Sequence, residues 1–425
     1  MSEQAPQGYY AASAKPSRPF PRLAGALKTD ICIVGGGYTG LHAALALAAA
    51  GAQPVLIEAE TIGFGASGRN GGQIHTGLNQ SQAALEKWLG LQHARDLWIL
   101  TEESKALVRQ TIARHGIDCG LRDGLVIAAH NKRSLPGLIE DTEYLAKHYR
   151  YDCVRMMDAQ ETAQKLGTDI YHGGRFDLGG GHLHPLDYAR GLAAAADDAG
   201  ASIWEHSRAL ALEDSGAAVT IRCESGTITA DKVLLACDAF TGKIAPKLER
   251  YMGYVESFIT ATEPLPPHLA ETVLPCGAAV ADTRHVLDYY RKSREGRMLY
   301  AGRESYFSVP ADIASLVRPR MLATFPQLRD VKIEYAWSGA VGITATRMPH
   351  LGALSERIFF AHGYSGQGVA LTSIGGKLMA EAATGNRERF DVFARVPVRA
   401  IPGGKYFKQP LVSLALYGLK LMDSL

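Results

Sequence analysis

The sequence predicts an α/β protein, and three observations predict it. A short β-rich run closing on glycines (TDICIVGGG, residues 29–37) is followed by a helix-forming run (LHAALALAAAG) and a second strand-like run closing on an acid (PVLIE). Together these make a βαβ unit. Short runs with turn signals between residues 209 and 237, then alternating residues from 251 to 309, add an antiparallel meander and a second sheet.

The remaining elements follow in order. Residues 1–28 carry Pro6, Pro16, Pro19 and Pro21 without apolar periodicity and read as an arm lying over the surface, so the folded body should begin near Thr29. Residues 83–115 and 134–149 read as helical, with the strand GLVIAA (124–129) between them. In HPLDYARGLAAAADDAG, Pro185 suits a first helical turn and Gly200 a C-terminal stop. ALALED, AVTIRC, TITA and KVLLAC form the meander, with turns at Asp214-Ser215-Gly216 and Ser225-Gly226. A helix at 311–325, strands at 331–337 and 357–361, and a helix at 369–384 complete the body. The tail QPLVSLALYGLKLMDSL is shorter than the roughly 20 residues of a membrane span. It reads as a helix docked on the body, with peripheral attachment to a membrane surface as the alternative.

Composition narrows the function classes. The 425 residues are 47% hydrophobic, 21% charged and 8% aromatic, which excludes disordered, collagenous and coiled-coil classes. A net charge of +2 without local clusters gives no footprint for nucleic acid. Six scattered cysteines without a C-x-x-C pair, and a start lacking a basic then apolar leader, point to a reducing, cytoplasmic setting.

The chemistry begins at Gly35-Gly36-Gly37-Tyr38-Thr39-Gly40, a G-x-G-x-x-G that follows a strand, opens a helix and precedes Glu58 at the end of the next strand. Gly35 makes the tight turn, Gly37 admits a pyrophosphate to the backbone, and Gly40 permits close helix–strand packing. The helix N–H groups then face the phosphates. Glu58 would accept hydrogen bonds from an adenosine ribose and repel a 2′-phosphate, which disfavours NADP. No second such unit exists: Gly179-Gly180-Gly181 lacks strand and acid, and Gly363-Tyr364-Ser365-Gly366-Gln367-Gly368 has the wrong order. An NAD dehydrogenase or a flavin enzyme reduced directly by its substrate therefore remains. The stretch Gly65-Ala66-Ser67-Gly68-Arg69-Asn70-Gly71-Gly72-Gln73, with its backbone N–H groups and a guanidinium, suits a pyrophosphate and the polar edge of a ring. His182 and His184 lack a third ligand at metal-site spacing, and Ser67 and Ser365 lack the G-x-S-x-G frame of a hydrolase, so neither a metal centre nor a serine nucleophile is expected.

VGGGYTGL, Glu58 and GFGASGRNGGQ resemble the glycine-oxidase and sarcosine-oxidase superfamily of FAD-dependent amine oxidoreductases, also called the D-amino-acid oxidase family. YYAAS (9–13), GGHLHPL (180–186), VLDYYR (286–291), RMP (347–349), GYSGQGVALT (363–372) and IPGG (401–404) narrow the resemblance to the bacterial γ-glutamylputrescine oxidoreductases, over nearly the whole chain. The resemblance implies a discontinuous Rossmann-like FAD-binding domain (29–85, 182–243 and 335–390). A substrate domain (86–181 and 244–334) would carry a mixed β-sheet roofing the flavin, between the arm (1–28) and a tail (391–425).

It also implies non-covalent FAD. Gly35, Gly37, Gly40 and Glu58 would hold the ADP half, with Tyr38 and Thr39 at the helix start, and Ser67, Arg69, Asn70, Gly71, Gly72 and Gln73 would run past the pyrophosphate and isoalloxazine. Gly363, Tyr364, Ser365, Gly366, Gln367 and Gly368 would cover the pyrimidine edge, and Arg347 joins this set. The chain departs from the family twice. Val341 stands where amino-acid-oxidising relatives carry an arginine that clamps the substrate carboxylate, and Gln367 replaces the histidine of GYSGHG.

The implied reaction is oxidation of a small-molecule amine to an imine, hydrolysis to an aldehyde, and reoxidation by oxygen to give hydrogen peroxide. γ-Glutamylputrescine is the expected substrate, in polyamine catabolism. Tyr254, Tyr289, Tyr290 and Trp337 are candidates for the aromatic enclosure that keeps the amine neutral. Arg291 is the candidate for a distal carboxylate, Glu256 for a second amine, and Gln367 for a place beside the reacting centre. The alternatives are an oxidase or dehydrogenase of cyclic or secondary amino acids (pipecolate- or proline-like) coupled to a membrane acceptor, and a non-catalytic partner subunit.

Overall fold

The computed structural model of the protein describes residues 8–305, 308–402 and, in the tail, 410, 411, 413, 414 and 418. Its first sheet is built on the βαβ unit. Gly25–Val34 pairs in parallel with Val55–Ile57 on one side and with Gly226–Leu235 on the other. Ser202–Trp204 and Ile358–His362 extend the parallel array, and His350–Ala353 closes one edge antiparallel. Residues 31–34, 55–57 and 358–362 are buried throughout, as parallel strands covered on both faces must be. One face is covered by the helices Tyr38–Ala49 and Gly368–Ala383. They approach closely because a side chain on Gly376 would run into the Thr39 carbonyl.

The second sheet has nine strands, in the order Ile333–Thr344, Met252–Pro264, Arg297–Ser305, Tyr289–Lys292, Ala279–Asp282, Arg122–Ala128, Gly174–His182 and Gln73–Ile74, with Val154–Met157 beside Gly174–His182. It is mixed: Ala279–Asp282 runs parallel to Arg122–Ala128 while its other pairings are antiparallel. The two-residue strand Gln73–Ile74 pairs with Gly181 and His182, so the glycine-rich stretch ends stitched to this sheet.

Several expectations are corrected. The first strand begins at Gly25, not Thr29. The stretch 83–115 is two helices, Gln82–Leu89 and Leu91–Arg114, broken where Gly90 takes φ 89°. TITA and KVLLAC form one strand, Gly226–Leu235, whose first half pairs antiparallel with Val219–Cys223 while its second half lies in the parallel core. The strand expected at 331–337 continues to Thr344. The arm does not simply lie over the surface. Its residues Tyr9–Ser13 form a short helix that buries Tyr9 and Tyr10 against Trp337 and Leu186. Most of the C-terminal tail, with Gly403 and Gly404 of IPGG, lies outside the described residues, and so does the choice between docking and membrane attachment. Among the described residues no helix is long and apolar enough to cross a membrane.

Candidate active site

The C-terminal ends of the parallel strands open into a cleft bounded on its far side by the second sheet. This is where an open α/β sheet binds its ligand. The helix Tyr38–Ala49 points its first turn into the cleft, and its N-cap Gly37 offers no side chain to its own N–H groups. A Cβ on Gly37 would stand 2.9 Å from Ser67 Oγ, which accepts the Tyr38 N–H at 3.0 Å. Gly35 sits at φ 118° with no room for a side chain against the Ala236 carbonyl at 2.6 Å, and a Cβ on Gly40 would run into the Gly35 carbonyl. The result is a tightly turned, positively polarised helix start without side chains at Gly35, Gly37 and Gly40, suited to a pyrophosphate.

Glu58 accepts the Gly36 N–H at 2.7 Å and the Glu60 N–H at 2.9 Å. Burial raises its carboxyl pKa, and those backbone donors oppose the rise. Thr39 donates from Oγ1 to the Tyr364 hydroxyl at 3.0 Å, joining the first glycine motif to the loop at 363–368.

The stretch 65–73 forms the near wall. Asn70 donates to the Ala66 and Ser67 carbonyls at 2.9 and 3.2 Å and accepts the Gly72 N–H at 2.6 Å, which folds the loop on itself. Arg69 donates from Nε to the Phe64 carbonyl at 2.7 Å and lies over the Phe64 ring. Burial lowers its pKa. Gly71 faces the Tyr289 ring, and Gln73 donates to the Val280 carbonyl at 2.9 Å. On the second sheet, Val255, Ser257, Ile259, Tyr289, Glu304, Val341 and Ile343 line the cleft, and His285, Val286 and Leu287 add to this wall. The Tyr289 hydroxyl lies 3.0 Å from Ser257 Oγ. Burial, with a smaller contribution from Glu304, pushes its phenol up to about 12, so it stays neutral.

The structure thus gathers Gly37, Tyr38, Thr39, Ser67, Arg69, Asn70, Gly71, Gln73, Tyr289, Arg347, Tyr364, Ser365, Gly366 and Gly368 around one cleft. Gly35, Gly40, Glu58, Gly72 and Gly363 shape the backbone around it. Six other candidates, Tyr254, Glu256, Tyr290, Arg291, Trp337 and Gln367, are not brought to its lining. Tyr254 is 42% exposed, on the face of its strand opposite the cleft-lining Val255. Gln367 is the N-cap residue of the helix Gly368–Ala383. Trp337 is 2% exposed, and its indole N–H donates to the Arg69 carbonyl at 3.0 Å. Arg291 is also buried, donating to the carbonyls of Gly71 and Leu183 at 2.7 and 2.9 Å and to the Tyr10 hydroxyl at 3.2 Å. Its guanidinium is occupied by the protein itself and does not await a substrate carboxylate. Tyr290 packs away from the cleft, stacked on Tyr300. His184 caps the helix Pro185–Asp198, its Nδ1 accepting the Asp187 N–H at 3.1 Å.

Sequence reasoning missed Asp238. Held at φ 42°, it accepts the Gly363 N–H at 2.7 Å and the Gly342 N–H at 3.2 Å, and so joins the end of one parallel strand to two cleft segments. An acid directly after the apolar run KVLLAC was the available signal, since that is the end of a parallel strand that carries function. Asn79 was also missed. It donates to the carbonyls of Arg347 and Ser365 at 3.0 and 3.2 Å and holds two residues that have φ 60° and 53°. Such left-handed backbone outside glycine is strained and needs a framework of this kind.

A parallel sheet presenting a glycine cradle, roofed by a mixed sheet across a deep cleft, defines the class as a dinucleotide-dependent oxidoreductase. Comparison with known proteins agrees and sharpens it. The DAO family of FAD dependent oxidoreductases matches residues 30–382, and the chain belongs to that family. It is 39% identical over 419 residues to the γ-glutamylputrescine oxidoreductase of Escherichia coli (strain K12), covering 98% of both chains. With the probable oxidoreductase OrdL of Haemophilus influenzae it shares 37% over 422 residues, covering 98% of this chain and 97% of that one. The glycine oxidase of Geobacillus kaustophilus has the same fold, with a TM-score of 0.72 at 22% identity over 84% of this chain and 95% of that one. The protein is an FAD-dependent oxidoreductase of a family that acts on amine C–N bonds.

Proposed function

We propose that the protein oxidises the amine C–N bond of a γ-glutamylated diamine, with γ-glutamylputrescine as the preferred substrate. The observation that carries this reading is the second-sheet wall. Val341 lies opposite Val255 in the cleft, where amino-acid-oxidising relatives place a carboxylate-clamping arginine, and Ile259, Ile343 and Val286 extend the apolar surface. Beside Val341, Val255 and Ile343 an α-carboxylate next to the reacting nitrogen would meet aliphatic side chains in place of a guanidinium. An amine on an aliphatic chain is accommodated, and apolar surroundings favour its neutral form, the form that can release hydride. The identity to the γ-glutamylputrescine oxidoreductase over the full length supports the same substrate class.

FAD, when bound, supplies the hydride acceptor. The glycine cradle from Gly35 to Gly40 with Glu58 would hold its ADP half, and the loop 65–73 with Gly363–Gly368 would flank the isoalloxazine. Backbone N–H groups from those loops favour the negative charge that reduction brings. Tyr289 and Ser257 would orient the aliphatic chain. Glu304 would receive the α-ammonium of the glutamyl group. The resulting imine hydrolyses to an aldehyde, and oxygen is the electron acceptor in this reading, giving hydrogen peroxide. A cytoplasmic setting belongs with it, supported by six free cysteines.

The test is anaerobic mixing of the yellow protein with γ-glutamylputrescine, putrescine, spermidine, pipecolate, proline, sarcosine and D-alanine. Bleaching by γ-glutamylputrescine ahead of the amino acids is expected. Bleaching by pipecolate, proline or D-alanine instead would overturn the reading of Val341. Peroxide formation on readmitting air tests the acceptor separately.

A further inference from the structure

Behind the cleft wall, the N-terminal arm is built into the fold. Tyr9 and Tyr10 are each 2% exposed. The Tyr10 ring meets Trp337 edge-on at 5.1 Å, and a side chain on Gly8 would stand 2.9 Å from the same indole. Ser13 Oγ lies 3.1 Å from His184 Nε2, the Lys15 N–H donates to Asp187 at 2.8 Å, and the Tyr9 hydroxyl bonds Glu295. The arm is therefore fastened along its length to both the helix Pro185–Asp198 and the second sheet.

What it presses on is the loop that lines the cleft. Trp337 takes the Arg69 carbonyl, and Arg291 takes the Gly71 carbonyl while holding Leu183 and Tyr10 with the same guanidinium. Neither Trp337 nor Arg291 lines the cleft, whereas Arg69, Asn70 and Gly71 do, so both carbonyls are drawn to the rear. In a trans peptide the following N–H points the opposite way, which turns the Asn70 N–H toward the cleft. Gly72, at φ 75°, completes the turn at a point where any side chain would strike the Leu183 carbonyl.

We propose that the N-terminal arm is part of the FAD-binding apparatus, with Tyr10, Arg291 and Trp337 as positioning residues that fix the backbone of the flavin loop from behind. The inference rests on the loop 65–73 flanking the isoalloxazine and is independent of which amine is oxidised. The apoprotein of a chain lacking residues 1–13 is titrated with FAD, and the visible spectrum of the bound flavin is recorded. Tyr10→Phe, Arg291→Met, Arg291→Lys and Asn70→Ala are measured beside it. FAD affinity should fall about tenfold or more in the truncated chain, the equivalent of one lost charged hydrogen bond, with a shift of the flavin absorption maxima. Arg291→Met should reproduce this and Arg291→Lys should recover part of it. Should the truncated chain not fold, Tyr10→Phe decides, since it removes one oxygen atom and should weaken FAD in the same direction.

Unchanged affinity and spectrum in the truncated chain, or in Tyr10→Phe if that variant has to decide, would overturn the proposal. If Asn70→Ala alone moves the spectrum, the loop touches the flavin but the arm does not brace it. If no variant moves it, the loop assignment fails as well.

Discussion

Gly40 shows how much one atom decides. A Cβ there would collide with the backbone oxygen of Gly35, which has nowhere to go because Gly35 is itself hemmed in by Ala236. Gly40→Ala should cost about 2–4 kcal/mol and leave the purified protein depleted of flavin, read by thermal unfolding and by the ratio of visible to ultraviolet absorbance. A variant with full flavin content would show that the cradle tolerates widening. Val341 and Glu304 are the corresponding positions on the substrate side. Val341→Arg puts a bulky charge into the apolar wall and should lower kcat/KM for γ-glutamylputrescine at least about tenfold. Glu304→Gln should raise KM about tenfold with little change in kcat, because in the proposed function it removes the charge that would face the distal ammonium. Equal turnover of γ-glutamylputrescine and putrescine by the unaltered enzyme would remove Glu304 from this role.

At the scale of elements, the cleft is assembled from segments distant in sequence, and Asp238 is the joint between three of them. Asp238→Asn replaces a two-fold acceptor with a group that presents one acceptor and one donor to two backbone N–H groups. The expected loss is about 1–3 kcal/mol, seen as a Tm lower by a few degrees and as weaker FAD binding. An unchanged Tm would mean that water satisfies the Gly342 and Gly363 donors equally well. The same scale explains what was readable. The βαβ unit, the helices at 134–149 and 369–384 and the strand at 357–361 follow from local periodicity and appear with small shifts at their ends. The continuous strand Gly226–Leu235 was not readable as one element. It pairs with Gly25–Val34 throughout, but on its other side the two halves have different partners, and a polar pair at Asp231-Lys232 interrupts an apolar pattern without interrupting the backbone.

For the whole molecule, buried imidazoles set the response to acid. Burial holds His42, His182, His184 and His362 at about 3 and His75 and His350 at about 4. The neutral ring of His184 fits its role as acceptor of the Asp187 N–H. Between the ordinary imidazole value of about 6.5 and those depressed values, the unfolded chain binds protons that the folded chain refuses. Stability present in full above about pH 6.5 is therefore lost progressively as pH falls toward 4. Asp282, pushed up to about 7 by burial, acts in the opposite sense and offsets part of the loss. Thermal unfolding at pH 7.5 and at pH 5 should show a lower Tm at pH 5. A Tm that holds or rises would mean that buried carboxyls such as Asp282 outweigh the imidazoles.

The sequence by itself determined the βαβ cradle, the acid Glu58, the glycine loops and the family, because each is local: spacing along the chain is spacing in space over one turn or one strand. It also singled out Val341, the departure on which the proposed substrate class rests. Only the tertiary structure decided which aromatic and charged residues face the cleft. Tyr289 and Tyr290 are neighbours in sequence on opposite faces of a sheet, so one lines the cleft and the other stacks in a core. Arg291 and Trp337 looked like site residues and turn out to hold the loop from behind. The arm that composition placed on the surface is anchored there because its two tyrosines are buried against partners more than 170 residues away, a pairing that no local pattern encodes.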